Sequence, residues 1–529
     1  MLSERTIING LVMLAGMILG PYLITLTFEL NQVAVLSFAC IVALFLVFFF
    51  IKEKISVGPF VAGYFGGSLN FLPFGLNLVE LSSLLVILYY LIHYVALKRS
   101  SPSVGPRYIF FPMLTVGAIV LYHDHQIGLH ALGGTQQGSR PGLEILVAIM
   151  AYLCAINIPC RSVSLFSRLP WWCLLVSAIG SMPFMLTTFF PGLAPYVYYV
   201  SGNINLSAYI ESTSGGDVSD TGRNGAFLGI AMMLQGILLA YFPLTTWWRP
   251  SRWPFFILSL LCLYGVLISG YRTSLFSFIL MVLLSTICYS RWRVILALPL
   301  FILVPLCFLF IQSSHIGGLT LPTTVQRTMS FIPGDWDVDV KRSAENSNGF
   351  REDISRVYIH EYLRKSPLLG NGFTFDPKET EAYEALTHTG SASDHSYYES
   401  KAFIVSKNFH VGWISLYDAV GLIGGIAFVA LSLNLIGMSG WFIFHRGADM
   451  HSSLFPIKVW LFSNFTSSCV NYFITFGSFN SSFIGMMMTS IILVHLSVIE
   501  RRQTLGTVTP SPQMTLNTPG KAPELSPAN

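Results

Sequence analysis

Residues 253–289, WPFFILSLLCLYGVLISGYRTSLFSFILMVLLSTICY, decide the class of fold. They contain two largely apolar runs, and each run is long enough to cross, as an α-helix, a hydrocarbon core roughly 30 Å thick. Arg272 is the one charged residue in the stretch, and it stands in the short SGYRTS turn between the runs. The stretch therefore predicts two membrane-spanning helices that hold a guanidinium group at one face of the membrane.

Similar apolar runs recur along the 529-residue chain, which is 53% hydrophobic and 11% charged. An average soluble domain is roughly 25% charged, so this composition excludes a soluble globular protein. We predict an all-α polytopic membrane protein with 12–14 transmembrane helices and one large extracytoplasmic loop containing a helix. The range reflects residues 57–74, whose glycines and proline are also compatible with a re-entrant or interfacial segment. The candidate spans are 8–28, 33–51, 57–74, 77–97, 107–122, 142–160, 169–191, 225–244, 253–270, 273–290, 293–313, 417–444, 454–474 and 479–498.

Lysine and arginine indicate the orientation, because short cytoplasmic loops of membrane proteins carry an excess of positive charge. With the N-terminus inside, the cytoplasmic side holds 16 of these residues, and the short outer loops hold three, Arg140, Arg223 and Arg272. Both termini are therefore predicted to be cytoplasmic. The basic residues are scattered in ones and twos, so the net charge of +4 does not indicate a nucleic-acid partner.

This topology predicts a division of the chain into four parts. The outer loop among them is the polar part, with 23 of the chain's 56 charged residues. The parts are a transmembrane bundle of about 11 spans (1–313), an extracytoplasmic loop domain (314–409), the last three transmembrane helices (410–500) and a disordered cytoplasmic tail (501–529).

Charged residues at the outer face are the candidates for function. Arg272 and Arg223 stand beside apolar runs. An arginine in such a position is as often one that snorkels to lipid phosphates as one that serves a functional site. In the loop, REDISRVYIHEYLRK predicts a helix over residues 351–365 that opens with Arg351 and carries Arg356. Solvated charge is the ordinary explanation for any one such arginine, whereas several on one side of the membrane indicate a bound anion.

His410 precedes VGWISLYDAVGLIGG and stands at the outer mouth of a predicted span. A single histidine at a membrane interface is more often structural than catalytic. Beside several guanidinium groups, however, a titratable imidazole is suited to deprotonate a hydroxyl while the arginines bind a phosphate leaving group.

Two patterns that resemble metal sites are incomplete. The aspartates of DWDVD (residues 335–339) alternate as in an EF-hand loop, but Val340 and Asn346 replace its glycine and its final glutamate. For the cluster HDHQIGLH at 123–130, the sequence indicates no residues that would hydrogen-bond to the histidines and orient them as metal ligands. The glycine-rich pieces contain no phosphate-binding loop signature. We therefore expect neither a metal nor another cofactor.

Several features in order resemble the O-antigen ligase and O-antigen polymerase superfamily. They are the row of spans, the Ser-Gly-x-Arg-Thr turn, the outer loop with an arginine-led helix and PLLGNGF, and His410 followed after ten residues by Gly421. The resemblance covers residues 223–430. Members of the superfamily often have Asn after the histidine and Glu two residues before the glycine. Here Val411 follows the histidine, and the acid is Asp418, three residues before the glycine.

The resemblance implies a glycosyltransferase of the bacterial inner membrane whose active site faces the periplasm. Its donor would be an undecaprenyl-diphosphate-linked oligosaccharide, and its acceptor would be another glycan. Membrane lipids would surround it, and a chain-length regulator is a further candidate partner. Attack on the anomeric carbon opposite the diphosphate would invert its configuration. The residues implied are Arg272, Arg351 and Arg223 for the diphosphate, His410 as catalytic base, and Asp418 and Arg356 in support around them.

The sequence leaves alternatives open within and outside this superfamily. A polymerase extends a lipid-linked glycan, and a ligase transfers it to lipid A core; we favour the polymerase, because polymerases are numerous and divergent. A protein-directed oligosaccharyltransferase has similar motifs. A lipid-linked glycan transporter would bury charges at mid-membrane depth, whereas charges here gather at the outer face. Aromatic residues of the loop that are plausible sugar-stacking surfaces are Trp336, Tyr358, Tyr383, Tyr397 and Tyr398.

Overall fold

The computed structural model describes residues 52–66, 76–96, 103–123, 140–160, 162–193, 197, 227–247, 249–290, 321–373, 377–389, 392–407, 409, 411–445, 450–474 and 477–508. The regular elements in these residues are helices, which confirms the predicted all-α class. The α-helices are α1 (Gly58–Ala62), α2 (Leu78–Tyr90), α3 (Arg107–His123), α4 (Arg140–Ala155), α5 (Val163–Phe189), α6 (Leu228–Tyr241), α7 (Trp253–Ile268), α8 (Arg272–Tyr289), α9 (Thr323–Met329), α10 (Val338–Glu361), α11 (Pro377–Thr389), α12 (Ala392–Val405), α13 (Gly412–Phe444), α14 (Phe455–Ile474) and α15 (Phe479–Val508).

Among the described residues, six helical segments are long and apolar enough to cross a membrane, which confirms a polytopic membrane protein. Helices α3 and α6 are apolar but shorter. The six segments are Leu78–Val95, Val163–Thr187, Pro250–Ile268, Arg272–Tyr289, Gly412–Phe444 and Phe479–Gln503. Three predicted spans, 8–28, 33–51 and 293–313, lie outside the described part of the chain.

The segment predicted as span 57–74 is described as far as Gly66, and there it is a series of short helical pieces. A 3-10 helix (Lys52–Val57), α1 and a second 3-10 helix (Gly63–Phe65) follow one another. Gly66 then has a φ of 67°, in the left-handed region that glycine adopts without steric cost. This part agrees with the re-entrant alternative better than with one uninterrupted helix.

The loop between the spans contains more helix than the sequence predicts. Helix α10 begins at Val338 instead of Arg351, because the Asp337 carboxylate accepts the N–H of Asp339 (2.9 Å) and caps the first turn. The alternating aspartates at 335–339 are therefore part of a helix start. Helices α9, α11 and α12 also belong to this loop.

Helix α13 is the central element of the bundle and packs along α3, α14 and α15. Because lipid is as apolar as a protein core, helices in a membrane associate through close packing, which small residues permit. At Gly424 a Cβ would lie 3.2 Å from Ile119 Cδ1 of α3. Next to this contact Phe428 is fully buried against the rings of Tyr472 and Phe479.

Helix α15 extends to Val508 and so continues into residues 501–529, which were predicted as a disordered tail. No proline interrupts RRQTLGTV before Pro510. Arg501 and Arg502 lie in the helix, about two turns before its end at Val508. Residues 509–529 lie outside the described part.

Candidate functional site

Helix α13 is broken at Gly421, and the loop after α10 fills the break. Gly421 has φ 63° and ψ −163°, a conformation essentially restricted to glycine. The N–H groups of Leu422 and Ile423 donate outside the helix, to the carbonyl oxygens of Pro367 and Leu368, each at 3.0 Å. The PLLGNGF segment thereby satisfies main-chain groups within a span, where an unpaired N–H costs several kcal/mol.

Gly421→Ala is expected to destabilise the protein by about 3 kcal/mol or more, since the residue would be strained and would clash. A Cβ at this position would lie 2.4 Å from the backbone nitrogen of Gly370 and 2.5 Å from the carbonyl oxygen of Leu368. Gly437→Ala is the matched control, because it lies on the same helix and its Cβ would meet nothing within 4 Å. Thermal unfolding of the detergent-solubilised variants measures the difference, and equal midpoints would contradict this account of the break.

Asp418, three residues before the break, is the centre of a buried polar cluster. Its side chain is 2% exposed. One carboxylate oxygen accepts the ammonium group of Lys407 (2.6 Å), and the other accepts the Asn371 amide (2.8 Å) and the Tyr358 hydroxyl (3.2 Å). Burial, together with the Asp418 carboxylate, raises the pKa of Tyr358 well above its usual value, so this hydroxyl stays protonated and donates. The cluster joins α10, the PLLGNGF segment and the turn after α12.

Lys407 lies in that turn, three residues before His410 in the sequence. Its φ of 60° makes it the one residue other than glycine with a positive φ in the described parts of the chain. For an L-residue this conformation costs roughly 1–2 kcal/mol. The ion pair with Asp418 offsets that cost and ties the turn to the start of α13.

Arg272 is the first residue of α8, as the SGYRTS turn predicts. Gly270, with a φ of 73°, separates α7 from α8. The Arg272 guanidinium Nη2 donates to the carbonyl oxygen of Ala344 (3.1 Å) and to the side-chain oxygen of Asn348 (3.2 Å), both on α10. The arginine thus lies between the end of a span and the loop domain.

One face of α10 carries Arg351 together with the residues that contact Arg272 and Asp418. Ala344, Asn348 and Arg351 follow the i, i+4, i+7 spacing, so they lie on one side of the helix. Tyr358, seven residues after Arg351, continues the same side and contacts Asp418. Arg351 therefore lies between the contact with Arg272 and the contact with Asp418, about 10 Å along the helix from the latter.

The other predicted site residues are placed differently or are not described. The Arg356 side chain is 61% exposed and forms ion pairs with Glu352 (3.2 Å) and Asp353 (3.6 Å) of its own helix, so it is not brought to Asp418. Arg223 and His410 lie outside the described residues.

The chain on either side of His410 is described. Phe409 and Val411 belong with Tyr358 to one small apolar cluster of the loop domain. The ring of Phe409 meets that of Tyr358 edge-on, with 5.9 Å between the centroids. The residues flanking the histidine are therefore packed beside the Asp418 cluster.

His123, considered above as a metal ligand, contacts the PLLGNGF segment. One ring nitrogen forms a hydrogen bond with the carbonyl oxygen of Leu369 (2.8 Å). A Cβ at Gly372, whose φ is 72°, would lie 2.8 Å from the Cβ of His123. A cleft of about 530 Å³ opens here, between the end of α3 and residues 366–370. The other members of the 123–130 cluster lie outside the described part.

Arg140, one of the three outer arginines, has a structural reason for its position. Its guanidinium forms ion pairs with Glu80 (3.0 Å), in the first turn of α2, and with Glu144 (3.3 Å), four residues further along α4. Asn480, at the start of α15, donates to the second oxygen of Glu144. Glu80 and Glu144, two of the three acids inside predicted spans, are therefore paired with the same arginine near the starts of their helices.

Sequence reasoning did not identify Lys407, Asn371 or Arg327. Lys407 looks like any loop lysine, although its distance to Asp418 along the chain is short. Asn371 belongs to PLLGNGF, whose sequence does not indicate a contact with Asp418. Arg327 is 6% exposed in α9, next to Thr328, whose hydroxyl donates to the carbonyl oxygen of Leu267 at the end of α7 (2.9 Å). A buried arginine beside the turn that carries Arg272 adds positive charge to this end of the bundle.

No curated protein matches the sequence. Residues 257–429 match the family model described as O-antigen ligase, and this range contains Arg272, Arg351, His410 and Asp418. The match supports the resemblance derived from the motifs: this part of the chain is similar to the O-antigen ligase family.

Proposed function

We propose that the protein polymerises undecaprenyl-diphosphate-linked oligosaccharide repeat units into O-antigen, capsule or exopolysaccharide at the periplasmic face of the bacterial inner membrane. The observation that carries the proposal is the position of Arg272 and Arg351. Arg272 begins a membrane-spanning helix and contacts α10, and Arg351 lies on the contacting face of α10, three residues after Asn348. In the proposal, the head group of a lipid-linked donor binds at this junction. Guanidinium groups are well suited to this task, because their geometry matches phosphate oxygens.

In the proposed reaction, a hydroxyl of the acceptor glycan attacks the anomeric carbon of the donor. The bond between that carbon and the diphosphate oxygen breaks, and the configuration inverts. Arg272 and Arg351, with Arg223, stabilise the charge that develops on the leaving diphosphate. His410 accepts the proton of the attacking hydroxyl. Because arginines supply the positive charge, the proposed mechanism needs no metal ion.

The Asp418 cluster has a positioning role in this proposal. It fixes the turn before His410 through Lys407 and fixes α10, and with it Arg351, through Tyr358. A catalytic group loses efficiency steeply when it is displaced by about 1 Å, so such supports are needed around a site of this kind.

The second candidate is a ligase that transfers the finished glycan to lipid A core. The description of the matching family model favours it. The departures from the family pattern at Val411 and Asp418 favour the more divergent polymerases.

A lipid-linked glycan transporter, the alternative of another class, receives less support. Transporters place ionisable groups near the middle of the membrane. Glu80 and Glu144 instead lie at helix ends and are paired with Arg140. Asp418 is tied to the loop domain.

The experiment that separates these functions is the size profile of surface polysaccharide and of its lipid-linked precursors in a strain lacking the protein. Polymerase function predicts the loss of long chains while single repeats still reach their final anchor. Long chains stranded on the lipid carrier would identify a ligase. An unchanged profile would contradict both the polymerase and the ligase function and would favour the transporter instead.

Arg272→Ala is expected to lower the transfer rate by about 100-fold or more, the effect typical of removing one preorganised donor to a developing negative charge. Arg272→Lys is expected to restore only part of it, since lysine keeps the charge but not the planar pair of donors. Arg342→Ala is the control, because its side chain is 70% exposed and pairs only with Asp339 in the described residues. The rates are compared with reconstituted protein and a lipid-linked donor. Full activity of Arg272→Ala would remove this residue from the site.

A further inference from the structure

A group of tyrosines surrounds one ion pair at the C-terminal end of α10. Glu361 of α10 accepts the Lys401 ammonium of α12 (2.8 Å) and the Tyr397 hydroxyl (2.6 Å), one on each carboxylate oxygen. The same ammonium group lies 4.7 Å from the ring centroid of Tyr397 and 5.4 Å from that of Tyr383 in α11. We call these four residues, with Tyr362, the tyrosine cluster.

Tyr362 extends the cluster toward the Asp418 site. Its ring stacks on that of Tyr358, with 6.0 Å between centroids and 9° between planes. The Lys365 ammonium lies 4.2 Å from the Tyr362 centroid. The aromatic rings therefore form a row that begins at the buried Tyr358 and ends at the surface of the loop domain.

The charges of the tyrosine cluster are fixed over the ordinary pH range. Partial burial alone would raise the pKa of Glu361, but the hydrogen bonds from Lys401 and Tyr397 hold it below its usual value. Burial would lower the pKa of Lys401, but its bonds to Glu361 and Tyr397 raise it. The ion pair thus keeps its charges and its geometry without a ligand.

The cluster is open to solvent. Tyr397 is 38% exposed, and the Glu361 side chain is 34% exposed. A contact that only packs one helix hairpin onto another is normally built from aliphatic side chains. Exposed rings next to a fixed carboxylate and ammonium are instead the mixture that ligand sites use, an apolar surface with a few placed polar groups. A pyranose ring presents the complementary surface, with C–H groups on one face and hydroxyls at the rim.

The position of the cluster relative to Arg351 suits a glycan. Glu361 lies ten residues beyond Arg351 on the same helix, which corresponds to about 15 Å. A saccharide whose diphosphate end lies at Arg351 would reach the cluster with sugars beyond the one that reacts. We propose that the tyrosine cluster binds the saccharide chain of the substrate, several sugars from the reacting bond, and holds it on the loop domain between transfers. This inference rests on the proposed function.

The test measures binding of the host strain's own polysaccharide, released from its lipid and fractionated by size, to the full-length protein in nanodiscs. Tyr383→Ala and Tyr397→Ala are expected to weaken binding by about tenfold or more, as removal of a central aromatic contact does. Tyr397→Phe should recover most of it, because the ring remains. Tyr264→Ala, an exposed tyrosine on the membrane helix α7, is the matched control and should bind as the wild type does.

The same variants separate this inference from the proposed function. His410→Ala should abolish transfer and leave binding unchanged. Tyr383→Ala should still transfer a single repeat unit but give shorter chains. Wild-type affinity in both alanine variants, or no binding by the wild type, overturns the inference, while loss of transfer in His410→Ala would still uphold the proposed function.

Discussion

His410→Ala is expected to lower the rate of glycosyl transfer by about 100- to 10,000-fold, the contribution typical of a general base. The acceptor hydroxyl is a weak nucleophile until its proton is removed, and alanine offers no acceptor for that proton. The protein should remain in the membrane with unchanged stability. The measurement is a single-turnover assay with purified, reconstituted protein and a lipid-linked donor.

His445→Ala is the control for this experiment. His445 lies at the other end of α13, where its ring stacks on Trp441 with 4.3 Å between centroids. The His445→Ala variant should transfer the glycan at the wild-type rate. Wild-type activity in His410→Ala would rule out the proposed base and leave the arginines as the main catalytic groups.

Lys407→Met is expected to destabilise the protein by about 3 kcal/mol, because it leaves the Asp418 carboxylate buried without its counter-charge. Asp418 retains the hydrogen bonds from Tyr358 and Asn371, and these do not neutralise it. Asp418→Asn should cost less, about 1–2 kcal/mol, since the Lys407 side chain is 20% exposed and its ammonium can reach water. Thermal or chemical unfolding in detergent provides both values.

The double variant Lys407→Met with Asp418→Asn decides whether the pair acts as a unit. Once both charges are gone, the loss should be smaller than the sum of the two single losses by about 1 kcal/mol or more. Additive losses would show that Lys407 and Asp418 stabilise the fold independently. In that case the turn before His410 would not depend on the ion pair.

The sequence was sufficient to predict the class of fold and the position of Arg272 at the junction of two helices. Apolar runs of membrane-spanning length have few alternative structures, since only helices and closed barrels satisfy the main chain in lipid. A charged residue in a turn too short to form a loop must lie at a membrane face. Arg272 is accordingly the first residue of a helix that begins directly after the turn.

The sequence was not sufficient for the extent of the loop helices or for the partners of Asp418. Helix α10 begins 13 residues before Arg351, in a polar stretch that has no apolar periodicity to reveal it. The cap at Asp337 sets its start, and the same aspartates had suggested a metal loop. Asn371 meets Asp418 because a loop enters the break in a span, and Lys407 meets it because the turn after α12 brings its ammonium group to the start of α13. Such tertiary contacts leave no local pattern in the sequence.

Arg356 is another predicted site residue that the structure places away from Asp418. Spacing places it on the helix that carries Arg351, but five residues further on, and an α-helix turns such a residue well away from the first. Its ion pairs with Glu352 and Asp353 are the solvated arrangement that is usual for an exposed arginine.

The most direct test of the account is the incubation of purified, reconstituted protein with an undecaprenyl-diphosphate-linked repeat unit and a metal chelator. We predict that undecaprenyl diphosphate is released in step with the appearance of longer lipid-linked glycan with an inverted linkage. The release should be lost in Arg272→Ala and retained in Arg342→Ala. Failure to release the diphosphate, or equal release by wild type and Arg272→Ala, would contradict the proposal that this end of the bundle is a glycosyltransferase site.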